Sequence, residues 1–75
     1  MSGLTPISAR KLMKILLSLG FEEVRRKGSH CFFFNNMTGL STVVPDHGSE
    51  DIGRGLLRKI LRDIDLAPIE FEKMR

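Results

Sequence analysis

The chain is 75 residues long and holds a single cysteine, with 12 Lys and Arg against 9 Asp and Glu for a formal charge of +3. That length allows one small domain, residues 1–75, whose core is barely sufficient without a metal or partner, and the lone cysteine excludes an intramolecular disulfide. No stretch resembles a secretory signal or a membrane helix, so the reading is of a cytoplasmic protein without membrane association, with Cys31 a reduced thiol.

Ser8 is placed to cap a first helix, in which Ala9, Leu12, Met13, Leu16 and Leu19 recur at helical spacing, and Gly20 stands where a left-handed residue ends one. Residues 21–27 carry strand-compatible side chains without clean alternation. Residues 29–35 are rich in β-forming aromatics, and Gly28 between the two segments marks a tight hairpin. Asn36, Met37, Thr38 and Gly39 supply a second turn, and residues 40–44 form a strand that ends at Pro45. Residues 46–50 read as a loop. Beyond it Leu56, Leu57, Ile60, Leu61 and Ile64 fall on one face of a second helix, while Arg54, Arg58 and Arg62 line another. Pro68 starts a last helical turn whose Ile69 and Phe71 are expected to cover an edge of the core. The order is α-β-β-β-α plus that turn: an α+β domain with a three-stranded antiparallel sheet, one face against two helices and the other open.

Basic residues cluster at 10–14, 25–27 and 54–62, and the middle cluster runs through Gly28 and Ser29 into His30. Lysine and arginine attract phosphates whatever the base sequence, and an imidazole titrates near neutrality, so this run has the groups that cleavage of an RNA backbone requires. Strand alternation puts residues 30, 32 and 34 on one face and 31 and 33 on the other. His30 and Cys31 therefore point apart, which argues against a Cys-His nucleophilic pair. With Cys31 and Phe33 toward the helices, His30 lies on the open face, with Phe32 and Phe34 as base-stacking surfaces. Three successive phenylalanines cannot share one core, so at least one is exposed or covered by a partner. His30, Cys31, Asp46 and His47 have no recognised ligand spacing, and neither a metal nor a cofactor is expected.

Four motifs stand in register with these elements: Gly20-Phe21; Lys27-Gly28-Ser29-His30; Thr42-Val43-Val44-Pro45 followed by His47; and Gly55-x-Leu57-Arg58-x-Ile60-Leu61. In order and spacing they resemble HicA-type toxins, over roughly residues 5 to 73. The resemblance implies a double-stranded-RNA-binding-domain-like fold, cleavage of mRNA as an endoribonuclease, and neutralisation by a cognate HicB-like antitoxin. It maps the catalytic histidine of the Gly-Ser-His motif onto His30. Where the family often has a threonine after the helix glycine, this chain has Leu56, and no ligand role is assigned there. Metal-independent cleavage needs a base, an acid and positive charge near the phosphorane. His30 is the candidate base; His47 is a candidate acid or else a loop residue; Arg25, Arg26, Lys27, Gly28, Ser29, Arg54 and Arg58 are candidate RNA contacts, with Ser29 able to orient a phosphate or the imidazole. Two other readings use the same residues: a non-catalytic RNA-binding module, and a protein-interaction domain with an acidic partner.

Overall fold

The computed structural model describes residues 4–75. Strand β1 (Ile7–Ser8) leads directly into helix α1 (Ala9–Ser18). Ser8 caps the helix as expected, its Oγ accepting the Lys11 amide at 3.1 Å, which satisfies one of the donors that a helix start leaves unpaired. At the other end Gly20 adopts φ 96°, and the amides of Phe21 and Gly20 donate back to the carbonyls of Leu16 and Leu17. These are the two bonds of a Schellman stop.

Strands β2 (Glu22–Lys27), β3 (His30–Phe34) and β4 (Ser41–Pro45) form an antiparallel sheet in that order. The first hairpin pairs Lys27 with His30 across a two-residue loop. Only Gly28 of that loop has positive φ, at 60°, as a type II′ turn requires. The missing alternation in residues 21–27 has a structural cause. The register shifts between Glu23 and Arg25, so Val24 is an extra, bulged residue. The bulge puts Glu23 and Arg26 on the same face, opposite Phe33 and Cys31, and leaves Arg25 and Lys27 opposite Phe32 and His30.

The second turn is built on Asn35, a buried side chain whose Nδ2 donates to the Leu19 carbonyl and whose Oδ1 accepts the Met37 and Thr38 amides. The end of α1 and the β3–β4 turn are thereby fastened together. Strand β5 (Asp51–Ile52) pairs with β1, Ile7 opposite Ile52 and Ser8 opposite Asp51, and Gly53 then caps helix α2 (Arg54–Asp63). This ribbon is an addition to the predicted α-β-β-β-α order. Two residues are too few to show a strand period, and their pairing exists only once the chain has folded. Its effect is to set the starts of α1 and α2 side by side.

Leu12 and Leu16 of α1 and Leu57, Ile60 and Leu61 of α2 pack on Cys31, Phe33 and Val44 of the sheet. Helix α3 (Pro68–Glu72) begins at its proline as expected and buries Phe71. Ile69, expected beside it over the core edge, is instead 69% exposed. Residues two apart on a helix point in nearly opposite directions, so only one of the pair faces inward. The molecule measures 35 × 29 × 17 Å, and the short axis holds one sheet and one helix layer. Nothing among the described residues covers the second face of the sheet.

Candidate active site

His30 opens β3 and is exposed, while Cys31 and Phe33 are buried, Phe32 is half-buried and Phe34 is exposed. The alternation read from the sequence therefore holds. Beside His30 on this open face are Lys27 from β2 and Pro45 from β4, its two cross-strand partners. The next pair along is Arg25 with Phe32, and the Arg25 guanidinium lies 5.3 Å from the centre of that ring, a cation–π contact. Imidazole, ammonium and guanidinium thus share one uncovered surface.

Arg26 does not join them. It lies on the helix-facing side opposite Cys31, with its Nε 3.3 Å from Glu23 and its Nη2 3.4 Å from Asp46. The hydrogen bond that Arg26 donates to Glu23, with Asp46 adding to it, pushes its pKa above the ordinary arginine value. The three consecutive cations expected to act together are divided by strand alternation. Arg25 and Lys27 stay with His30, and Arg26 turns to the carboxylates of Glu23 and Asp46.

That carboxylate contact positions the second histidine. The Asp46 amide donates to the Ser29 carbonyl at 2.7 Å, so Arg26 and Ser29 both hold Asp46, and His47 follows it on an exposed loop. The root of the His47 loop is therefore fastened to the turn that carries His30. Ser29 contributes its backbone to this bond, and Gly28 provides the positive φ that closes the turn. Glu23 was absent from the residues singled out in the sequence, and Asp46 was weighed there only as a metal ligand. Only the bulge reveals Glu23 as a neighbour of Arg26, three positions away.

Arg54 and Arg58 are exposed on α2. One flank of that helix faces β4, where the Thr42 hydroxyl donates to Asp63 at 2.9 Å and Lys59 pairs with the same carboxylate at 3.1 Å. Arg58 and Arg62 border a different groove, shared with Leu66 and Pro68. Because the helices cover the sheet face opposite His30, Arg58 belongs to a separate surface. Arg54 stands at the start of α2, directly after the β5 ribbon. Cys31 has no access to solvent, and burial pushes its thiol pKa up, which removes it as a nucleophile.

The architecture defines an α+β domain with a double-stranded-RNA-binding-domain-like layout, whose open sheet face carries a histidine and, among the described residues, the cations Arg25 and Lys27 without a carboxylate partner. The family described as "HicA toxin of bacterial toxin-antitoxin" matches residues 9–66, and the chain belongs to that family. It is also similar to a Pseudomonas fluorescens (strain Pf0-1) protein named "Probable mRNA interferase HicA", with 41% identity over 51 residues, spanning 68% of this chain and 82% of that protein. No solved structure matches the chain significantly.

Proposed function

We propose that this chain is an endoribonuclease that cuts mRNA in the cytoplasm as the toxin of a toxin–antitoxin pair, using His30 as a general acid–base group without a metal. The observation that carries the reading is the exposed position of His30 between Lys27 and Pro45, on the one sheet face that no helix covers. The family to which the chain belongs and the name of its Pseudomonas relative support it.

In this reaction His30 takes the proton of a ribose 2′-hydroxyl. The 2′-oxygen attacks the adjoining phosphorus, the bond to the 5′-oxygen breaks, and an acid returns a proton to that oxygen, leaving a 2′,3′-cyclic phosphate and a 5′-hydroxyl. His47 is our choice for the acid, since its loop is tethered to the Ser29 carbonyl next to His30. Lys27 and Arg25 neutralise the charge that builds on the phosphorane. Ser29, with Gly28, shapes the turn that presents the imidazole. A HicB-like antitoxin neutralises the toxin by covering this face.

The decisive experiment compares the parental chain with His30→Ala on a labelled mRNA in EDTA. The substitution is on the surface and is expected to preserve the fold while lowering the cleavage rate by about 10²- to 10⁴-fold. Cleavage at the parental rate by folded His30→Ala removes His30 from the mechanism. Activity that disappears in EDTA and returns with a divalent ion removes the metal-free route.

A further inference from the structure

The face that carries His30 has a feature that proton transfer does not use. Phe34 is 38% exposed, and Phe32 is half-buried with the Arg25 guanidinium 5.3 Å from the centre of its ring. Val24, pushed out by the bulge, is 58% exposed and lines a shallow groove together with Arg25, Phe32, Phe34 and Val43. Asp63 borders one end of the groove and Glu22 stands opposite Phe34. An occupant therefore has to offer flat apolar surface to the rings and negative charge at the Arg25 end, toward Lys27 and His30 further along the face. A nucleic-acid strand offers both in every nucleotide. An apolar peptide leaves the cations unanswered, and an acidic one leaves the rings uncovered.

We propose that Phe32 and Phe34 form a stacking subsite for unpaired bases of the same RNA strand whose phosphodiester lies at His30, an inference that rests on the nuclease reading above. Alternate residues of a strand stand about 6.7 Å apart, so His30, Phe32 and Phe34 form one line of evenly spaced stations. The base next to the cleaved linkage stacks on Phe32, Arg25 leaves the ring for the adjoining phosphate, and the following base meets Phe34. The spacing of the rings is about twice the 3.4 Å step between stacked bases of a helix. Bases seated on both rings are therefore splayed from each other. In a duplex each base face is already covered by its neighbours, so the subsite selects single-stranded RNA.

The test measures binding of a fluorescent RNA oligonucleotide to the full chain carrying His30→Ala, which separates binding from cleavage. On that background Phe34→Leu removes the π-face at a site that contributes little to the core, and Phe34→Tyr keeps it. Phe34→Leu is expected to weaken single-stranded binding about 5- to 150-fold, and Phe34→Tyr to bind as the unsubstituted background does. Abasic nucleotides in the RNA should weaken binding to the background chain by a similar factor and add little to the loss in Phe34→Leu. Equal affinity of Phe34→Leu and its background for intact RNA overturns the subsite, as does tighter binding of the corresponding duplex. Cleavage of the same oligonucleotide by the chain with His30 intact judges the nuclease reading separately. Absence of both binding and cleavage overturns the two together.

Discussion

Arg25, Arg26 and Lys27 are consecutive, yet they have different electrostatic duties. Arg26 is engaged by Glu23 and Asp46, whereas Arg25 and Lys27 lie opposite Phe32 and His30 with no carboxylate partner among the described residues. Each phosphate that a side chain neutralises on single-stranded RNA contributes about 0.7 to the logarithmic salt slope of binding, so losing two contacts flattens it by about 1.4. The double substitution Arg25→Ala with Lys27→Ala should show that change in a titration of RNA affinity against salt, using cleavage-inactive protein. Arg26→Ala should leave the slope near its parental value. Equal flattening by Arg26→Ala would place Arg26 on the RNA as well.

At the level of elements, the two long helices end by the same hydrogen-bonding scheme with different residues. Helix α1 uses Gly20, but α2 ends with Asp65 at φ 58°, where the amides of Asp65 and Leu66 return to the carbonyls of Arg62 and Leu61. A left-handed conformation costs a residue with a Cβ roughly 1–2 kcal/mol, and a carboxylate beside the negative end of a helix adds to that cost. Asp65→Gly should therefore raise stability by about 1 kcal/mol, part of the gain being lost to the greater freedom of glycine in the unfolded chain. Urea denaturation checks the midpoint; an unchanged or lower midpoint would show that Asp65 has a compensating role. The basic stripe of α2 has another surface. Arg58 and Arg62 border the groove with Leu66 and Pro68, on the helix layer that covers the opposite sheet face from His30.

For the whole molecule, the shape has one consequence for a partner. With a sheet and a helix layer across only 17 Å, the core is sealed on one side of the sheet, and the histidine face is the side left open. A HicB-like antitoxin that binds this face should stop RNA cleavage and stabilise the toxin by about 2.7 kcal/mol when its free concentration is 100 times the dissociation constant. Its contact surface should be acidic opposite Arg25 and Lys27. Thermal melting with and without the antitoxin, alongside a cleavage assay of the complex, measures both effects. A tight complex that continues to cut RNA would exclude masking of the site and require neutralisation by another route.

Local chemistry alone determined much of this protein. The Ser8 cap, the Gly20 stop, the Gly28 hairpin and the apolar stripe of α2 are short-range features, and each appears where its residues predict. Strand alternation likewise set His30 and Cys31 on opposite faces, and the packing of the helices on Cys31 and Phe33 decided that the histidine side is the open one. Tertiary structure decided what depends on register and long-range pairing. The bulge at Val24 redistributes β2 between two faces, and so separates Arg26 from Arg25 and Lys27. The β1–β5 ribbon joins residues more than forty positions apart and leaves no periodic trace in two-residue strands. The tether from Asp46 to Ser29 brings the root of the His47 loop to the His30 turn, because a backbone hydrogen bond across the chain depends on how the strands end and not on which side chains they carry.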